Sequence, residues 1–584
     1  MTDSNTEEIE NINDIFKLPI YYNDKKKTLK QNIINDLELI NTIDSSSNSM
    51  YSFLFNSDNN NTFSKKITEQ ISETYTTDTK FLKDNQTLFK TYKKINKYNT
   101  DISQNYEKII TIWNEIKKDT GFKEKYYYID WPMWEFLNKS DKFLQFMSIY
   151  NLTAPIISIF IPIIILIIPF FIIKLRGLNV SFGQYVEILK VVISNNALGR
   201  LFTQFNEVSS QEKIYLLFSA GFYVFSIYQN FLTCIRFNNN MIKIHDHLSE
   251  INKYIIFTCK NMENYLMYSN NLQTHSEFNT IVREKMNTLL ELGNKINCIS
   301  KYEFNLLKIC EIGYILKYFY EIYDNKIFED AFIYSFGFNG YTDCIEGLIE
   351  NIEKKNINFT NFINNKKKNL IKNNYYAALK NKSPIKNNIK FKKNIIITGP
   401  NASGKTTILK STLINIIITQ QFGCGFYDSA NLKPYEHIHC YLNIPDTSGR
   451  DSLFQAEARR CKEIIDNINE NIKDNHFCAF DELYSGTNPC EAEISAIAFM
   501  EYLVKNKNVS CFLTTHFINV CKKLDKNKKI INCYMDANKE NEKIVYKYIL
   551  KEGISELKGG LNVLYEMDYP AEIINSTKQK QISG

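Results

Sequence analysis

Between Phe143 and Ile173 the chain carries no Asp, Glu, Lys, Arg or His, and the twenty residues Ala154 to Ile173 are apolar except for Ser158. A membrane-crossing helix needs roughly 20 such residues, whereas a helix buried in a soluble core usually keeps a polar stripe. The pattern therefore predicts a transmembrane helix at about 154–173. Pro155, Pro162 and Pro169 each remove a backbone donor and disfavour an unbroken helix. Their spacing of seven puts them on one side, and membrane helices tolerate proline where the freed carbonyls find other partners. The competing reading is a buried soluble core with IIILII as a parallel strand, which leaves the rest of the uncharged interval unexplained. A second span is expected at about 215–235, YLLFSAGFYVFSIYQNFLTCI, weakened by Gln229 and Asn230. Two spans would form a hairpin with both chain ends on one side. Lys174, Arg176, Lys190, Arg200 and Lys213 lie between them, so the positive-inside rule does not orient the pair.

Elsewhere the rhythm differs. From Met241 to about Tyr375 apolar residues recur at helical spacing in charged surroundings, which predicts long helices fit for a lever, a clamp or an ordinary bundle. Residues 1–125 mix polar runs such as DSSSNS with short amphipathic segments and read as flexible or weakly helical. YYYIDWPMWEF, Tyr126 to Phe136, reads as a packed segment or an interfacial aromatic belt. Near the C-terminus short apolar runs end in polar residues and predict parallel strands. The expected divisions are a polar N-terminal region 1–125, an aromatic and apolar segment 126–240, a helical region 241–375, a strand-and-helix domain 376–575 and a tail 576–584.

Composition narrows this picture modestly. The 584 residues have room for several domains, and a formal charge of +6 permits polyanion contact without demanding it. Ten lysines fall in the thirty residues Asn364 to Lys393, a concentration that could approach phosphates or simply be a solvated linker. Thirteen cysteines lie between Cys234 and Cys533 with no CxxC pair, which argues for a reducing compartment without structural zinc or disulfides. The acidic, polar N-terminus lacks the apolar stretch of a cleaved secretory signal. Abundant Asn, Ile, Lys and Tyr suit an AT-rich genome.

The candidate chemistry lies in NIIITGPNASGKTT, residues 394–407. Gly399 to Thr406 fit GxxxxGKT between an expected strand and helix. Backbone amides of Gly399, Asn401, Ala402, Ser403 and Gly404, with Pro400 in the same turn, would shape a phosphate cradle. Lys405 would reach the β/γ-phosphates of ATP, Thr406 would hold Mg²⁺, and Thr407 would open the helix. HFCAFDEL, His476 to Leu483, supplies a second strand ending in adjacent acids. Asp481 is suited to Mg²⁺ and Glu482 to positioning the hydrolytic water. A third strand, VSCFLTTHF, ends at Thr515 and His516, and His516 could sense the γ-phosphate or orient water. Solvated acids and a core histidine would be unremarkable alone; beside Lys405 the three strand ends indicate a parallel α/β P-loop ATPase.

TGPNASGKTT, FDELYSGTNP, TTHF, QFGCGF and SLFQAE together resemble the ATPase domain of the MutS family, which is of ABC type. The resemblance runs from about Asn394 to Ile574, with Gly553, Ser555 and Gly560 in the turns of its closing element. It implies a dimer in which Ser452 is presented to the partner's γ-phosphate, so that the ATP sites are composite. It implies that Asn401 orders phosphate or water, and that Gly486, Thr487 and Asn488 shape the loop after Asp481 and Glu482. There are departures. One extra residue stands between Gly449-Arg450 and Ser452, Leu453 replaces a commoner threonine, and Ala402-Ser403 stand where Met-Gly is frequent. No Phe-x-Glu mismatch wedge is assignable in residues 1–150.

The resulting expectation is a membrane-associated MutS-like ATPase, multi-pass with its catalytic end in the cytosol. It would couple Mg-ATP turnover to dimer rearrangement and to engagement of mismatched or branched DNA. The layout resembles membrane-associated MutS-like proteins of bacteria, and the composition suits a large DNA virus too. The alternatives are a membrane mechanochemical scaffold without DNA, and a soluble cytoplasmic repair ATPase with both apolar stretches buried.

Overall fold

The computed structural model describes all residues except 1–11, 45, 57–61, 95–105, 178–180, 196, 298, 300–305, 364–368, 443–451, 541–542, 558–563, 566 and 584. Gly449, Arg450 and Gly560 thus lie outside the described residues. The chain divides into two compact units. One comprises 1–96, 260–285 and 333–584, and the other 97–259 and 286–332.

The second unit is helical. A 35-residue helix, Asp141–Leu175, begins at the cap Ser140 and runs through the positions of Pro155, Pro162 and Pro169. Proline at 162 leaves the carbonyl of Ser158 without its helical donor, and the Tyr223 hydroxyl donates to that carbonyl at 2.7 Å. Tyr223 belongs to the 60-residue helix Ser210–Ser269, so its hydroxyl also ties the two apolar helices together. A third helix, Leu306–Asp324, is pinned by Gln145, which donates to the carbonyl of Ile309 (2.7 Å) and accepts from the amide of Gly313 (2.8 Å).

Among the described residues one helix is long and apolar enough to cross a membrane, over Asp141–Ile161. Ile156, Ile159 and Phe160 on it are at least half exposed. The stretch expected as a second span is helical inside Ser210–Ser269. It exposes Leu217, Phe218, Phe222, Phe225 and Phe231, yet is not apolar enough to count as a second crossing. Gln229 and Asn230 account for that difference. The multi-pass expectation therefore reduces to one candidate span.

The first unit is built on a mixed six-stranded sheet. Its strands are β1 Asn394–Thr398, β2 His437–Tyr441, β3 His476–Asp481, β4 Val509–Thr514, β5 Ile530–Glu540 and β6 Lys543–Glu552. Their order is β6-β5-β1-β4-β3-β2, all neighbours parallel except the β5-β6 hairpin. Buried on both faces, β1 reads as an unbroken Ile395-Ile396-Ile397 run, as parallel core strands do. Ile396, Cys478, Phe480, Cys511 and Leu513 share one core with the helices Leu453–Glu470, Pro489–Leu503 and Ile518–Leu524. The helix Lys405–Phe422, buried almost throughout, packs against β3 and β4. A five-stranded sheet from 358–432 adjoins in sequence.

Residues 12–92 differ from the polar, weakly helical region expected of the sequence. Phe16, Leu37, Leu39, Leu54, Phe63, Ile67 and Leu82 are buried, and the segment is fastened to the end of the Lys405–Phe422 helix. Gln421 donates to the carbonyls of Ile71 (2.9 Å) and Thr74 (3.0 Å) and accepts from the Tyr51 hydroxyl (2.9 Å). Gln86 donates to the carbonyl of Gly423 at 2.7 Å. The QFGCGF motif is thus a docking point for the N-terminal segment.

Candidate active site at the strand ends

In a parallel sheet the C-terminal strand ends open a crevice where ligands bind, and here β1, β3 and β4 bring their polar residues to one such edge. Pairing sets Asp481 beside Thr514, and Thr514 beside Ile397, one residue before the loop that follows Thr398. The loop Gly399 to Gly404 then turns sharply into the Lys405–Phe422 helix. Gly404 has φ +91°, and a Cβ there would meet the Tyr548 ring at 3.1 Å, so glycine is needed for both backbone and space.

Lys405 is buried, with Nζ donating to the carbonyls of Gly399 (3.0 Å) and Pro400 (3.2 Å). Burial lowers its pKa from the ordinary lysine value, while Glu482 and Asp481 oppose that shift. The Thr406 hydroxyl donates to Asp481 Oδ2 at 2.9 Å, and Thr514 donates to the other carboxylate oxygen. Thr406, Asp481 and Thr514 therefore form one hydroxyl-carboxylate-hydroxyl chain across three segments distant in sequence.

Glu482 sits in left-handed backbone, φ +49°, its amide donating to the carbonyl of Thr514 at 3.0 Å. That conformation is uncommon for a non-glycine residue and turns its side chain out of the strand course. His516 Nδ1 lies 3.6 Å from Glu482 Oε1. The neighbouring imidazole, and then Lys405, hold the Glu482 carboxyl below the usual carboxylate range despite partial burial. The Thr515 amide donates to the carbonyl of Ile397 at 3.0 Å, which brings the Thr515-His516 strand end beside the end of β1.

A cavity of about 830 Å³ opens over this edge, lined by Asn401 to Ile408, Glu482, Tyr375, Tyr376 and Tyr548 among others. Ser403 Oγ is buried there with no hydrogen-bond partner among the described residues. A donor and acceptor left unpaired inside a cradle of turn amides suits an oxyanion ligand. Thr406 and Asp481 are both oxygen donors, the ligand type that a hard divalent cation prefers.

The expected site residues do not all converge. Gly399, Asn401, Ala402, Ser403, Gly404, Lys405, Thr406, Thr407, Asp481, Glu482 and His516 occupy the strand-end edge. Pro400 sits inside the loop with its carbonyl on Lys405. Ser452 instead caps the Leu453–Glu470 helix. Its hydroxyl accepts from the amide of Gln455 (3.3 Å), its amide donates to Gln455 Oε1 (2.9 Å), and the residue is exposed.

One residue within SLFQAE has a role that the sequence does not display. Glu457, buried, accepts from the amide and hydroxyl of Ser485 (3.1 and 2.9 Å) and the amide of Gly486 (3.2 Å). A Cβ on Gly486 would fall 2.6 Å from Leu453. The helix beginning at Ser452 and the loop after Glu482 are thereby one piece. The hint in the sequence was the family resemblance of both segments, since nothing local marks Glu457 as buried. Asn488 caps the next helix by accepting from the amide of Cys490 at 3.0 Å, and Thr487 donates to Glu491 at 2.9 Å.

Residues 395–583 match the family model for MutS domain V. The match starts in β1 and extends through the last helix, Ala571–Ser583. A MutS-type ATPase domain is therefore present at the C-terminus, on the same strands that form the site.

Proposed function

We propose that this MutS domain V binds and hydrolyses ATP at the edge formed by β1, β3 and β4. The observation that carries the reading is the contact between Thr406 and Asp481 at 2.9 Å, with Lys405 and Glu482 lining the cavity beside Thr406 and His516 3.6 Å from Glu482. Thr406 and Asp481 would hold Mg²⁺, whose charge would offset that of the β/γ-phosphates. Lys405 exchanges its bonds to the Gly399 and Pro400 carbonyls for phosphate oxygens. Ser403 and the turn amides supply further donors. Glu482, kept ionised, accepts a hydrogen bond from water and aims it at the γ-phosphorus, and His516 steadies the carboxylate. Phosphoryl transfer depends chiefly on such positioning and charge stabilisation.

Ser452, exposed at a helix start and coupled through Glu457 to the loop after Glu482, suits contact with the nucleotide of a second copy. The unit therefore works as a homodimer whose closure depends on ATP. The exposed apolar helix Asp141–Leu175 supports residence at a membrane, with the ATPase in the cytosol. The MutS domain match favours a second reading in which the cycle acts on mismatched or branched DNA.

Purified wild-type chain is expected to bind and turn over Mg-ATP. Lys405→Ala should lose nucleotide binding, and Glu482→Gln should keep binding while turnover falls about 10²–10⁴-fold. Normal turnover in Glu482→Gln would overturn the assignment. Turnover measured with and without branched duplex tests the DNA reading, which fails if DNA changes nothing.

A further inference from the structure

At the opposite edge of the same sheet, where β1, β3, β4 and β5 begin, a cleft of about 750 Å³ is lined by Lys392, Lys393, Lys433, Lys507, Lys528 and Lys529. No carboxylate lines it; the other polar groups are mainly asparagines. Cations are expected near helix C-termini, where they complement the helix dipole. That accounts for Lys529, whose Nζ donates to the carbonyls of Val504 (2.9 Å) and Lys505 (3.2 Å). Lys433 is held by Asn475 Oδ1 at 2.9 Å. Both partners are neutral, so neither charge is cancelled.

Lys393, Lys507 and Lys528 are not accounted for in this way. Among the described residues they have no hydrogen-bond or ion-pair partner, and all three are exposed. The nearby carboxylate of Glu436 does not line the cleft and accepts from the amide (2.8 Å) and side chain (2.9 Å) of Asn475. A second observation points to a ligand. Asn506 Nδ2 is buried with no acceptor, although its Oδ1 takes the amide of Asn508 at 2.9 Å. A buried donor without an acceptor, beside gathered positive charge, suits an anionic oxygen.

We propose that this cleft binds a compact, multiply phosphorylated anion. Its concave form suits a ligand that enters it, whereas a duplex presents a long convex rod that a ridge or stripe of cations would track. The ligand chemistry is shared by a soluble polyphosphate and by a phosphorylated lipid headgroup. The site is separate from the phosphate loop, because the two lie at opposite ends of the same strands.

The test uses the full chain carrying Lys405→Ala, so that the phosphate loop does not contribute, with inorganic tripolyphosphate as probe in calorimetric titration. Saturable binding is expected that weakens with salt. It should fall about tenfold or more when Lys393, Lys507 and Lys528 are changed to Gln, and persist when they are changed to Arg. Flotation with vesicles of phosphatidylcholine, with or without a phosphorylated inositol lipid, separates the sources. Inositol-lipid recruitment that depends on the three lysines identifies a headgroup, and tripolyphosphate binding without such recruitment identifies a soluble anion. The proposal is overturned if the glutamine variant binds tripolyphosphate as tightly as its parent, or if Lys405→Ala alone abolishes binding. It is also overturned if only duplex DNA binds and tripolyphosphate does not displace it.

Discussion

Isoleucine serves two opposite purposes in this molecule. In β1, Ile395, Ile396 and Ile397 are 3%, 0% and 0% exposed, whereas Ile156 and Ile159 in the long helix are 58% and 53% exposed. The residue type and local apolar density are alike; the neighbours differ. Strand isoleucines are enclosed by helices that the same domain supplies, and their burial holds Gly399 to Lys405 in place. Among the described residues the helix isoleucines have no such cover, and exposed apolar surface of this kind marks an interaction face.

The strongest way to break this comparison is to make the uncovered face polar. Ile156, Ile159 and Phe160 share one helix face by their spacing. Replacing all three with Ser removes about 1.5–3 kcal/mol of apolar transfer per side chain. Wild-type chain should stay in the pellet after carbonate washing and float with vesicles, and the triple variant should be released. ATP turnover by the released variant should persist. Clean recovery of the wild type in the soluble fraction would instead mean that another copy or partner covers the face.

The two regions were also unequally legible in the sequence. Gly399 to Thr406 stands out because GxxxxGKT sets fixed residue types at fixed spacing, and the strand ends that carry Asp481, Glu482 and His516 follow from apolar runs of strand length. The ordering of the six strands, which sets Asp481 against Thr406, depends on pairing between segments some 75 residues apart, and no local pattern encodes that. The N-terminal helices were missed for a related reason. Their polar character belongs to exposed positions and loops, and the buried Phe16, Leu37 and Leu39 are too sparse to show a face until Gln86 and Gln421 dock them. Glu457 was obscured because a carboxylate is normally expected outside, and only its three donors explain its burial.

Glu457 allows the ordered end of the comparison to be sharpened. Glu457→Ala leaves the Ser485 and Gly486 amides without their acceptor, at a cost of about 1–3 kcal/mol for buried donors left unpaired. The midpoint of thermal unfolding should fall, and turnover should fall further than ATP binding, since Lys405 and Gly399 are untouched. Equal losses in binding and turnover would show instead that the loop from Tyr484 to Asn488 supports the whole domain rather than the step served by Glu482.

The smallest effect expected is electrostatic. His516 is the leading reason that the Glu482 carboxyl is held below the usual carboxylate range, with Lys405 contributing less. A lowered folded-state pKa favours the native state above the unfolded-state value, and that contribution disappears as pH falls through the folded-state value. The acid limb of ATP turnover in the wild type should therefore lie below the ordinary glutamate range of about 4.3. His516→Ala removes the main depressing influence, so Glu482 should protonate at higher pH than in the wild type. Infrared difference spectra of the protonated carboxyl, taken against Glu482→Gln across the acid range, follow that group even if His516→Ala turns over slowly. An unchanged titration would leave the 3.6 Å approach of His516 as proximity without electrostatic consequence. The histidine's contribution would then have to be sought at the phosphate rather than at the carboxylate.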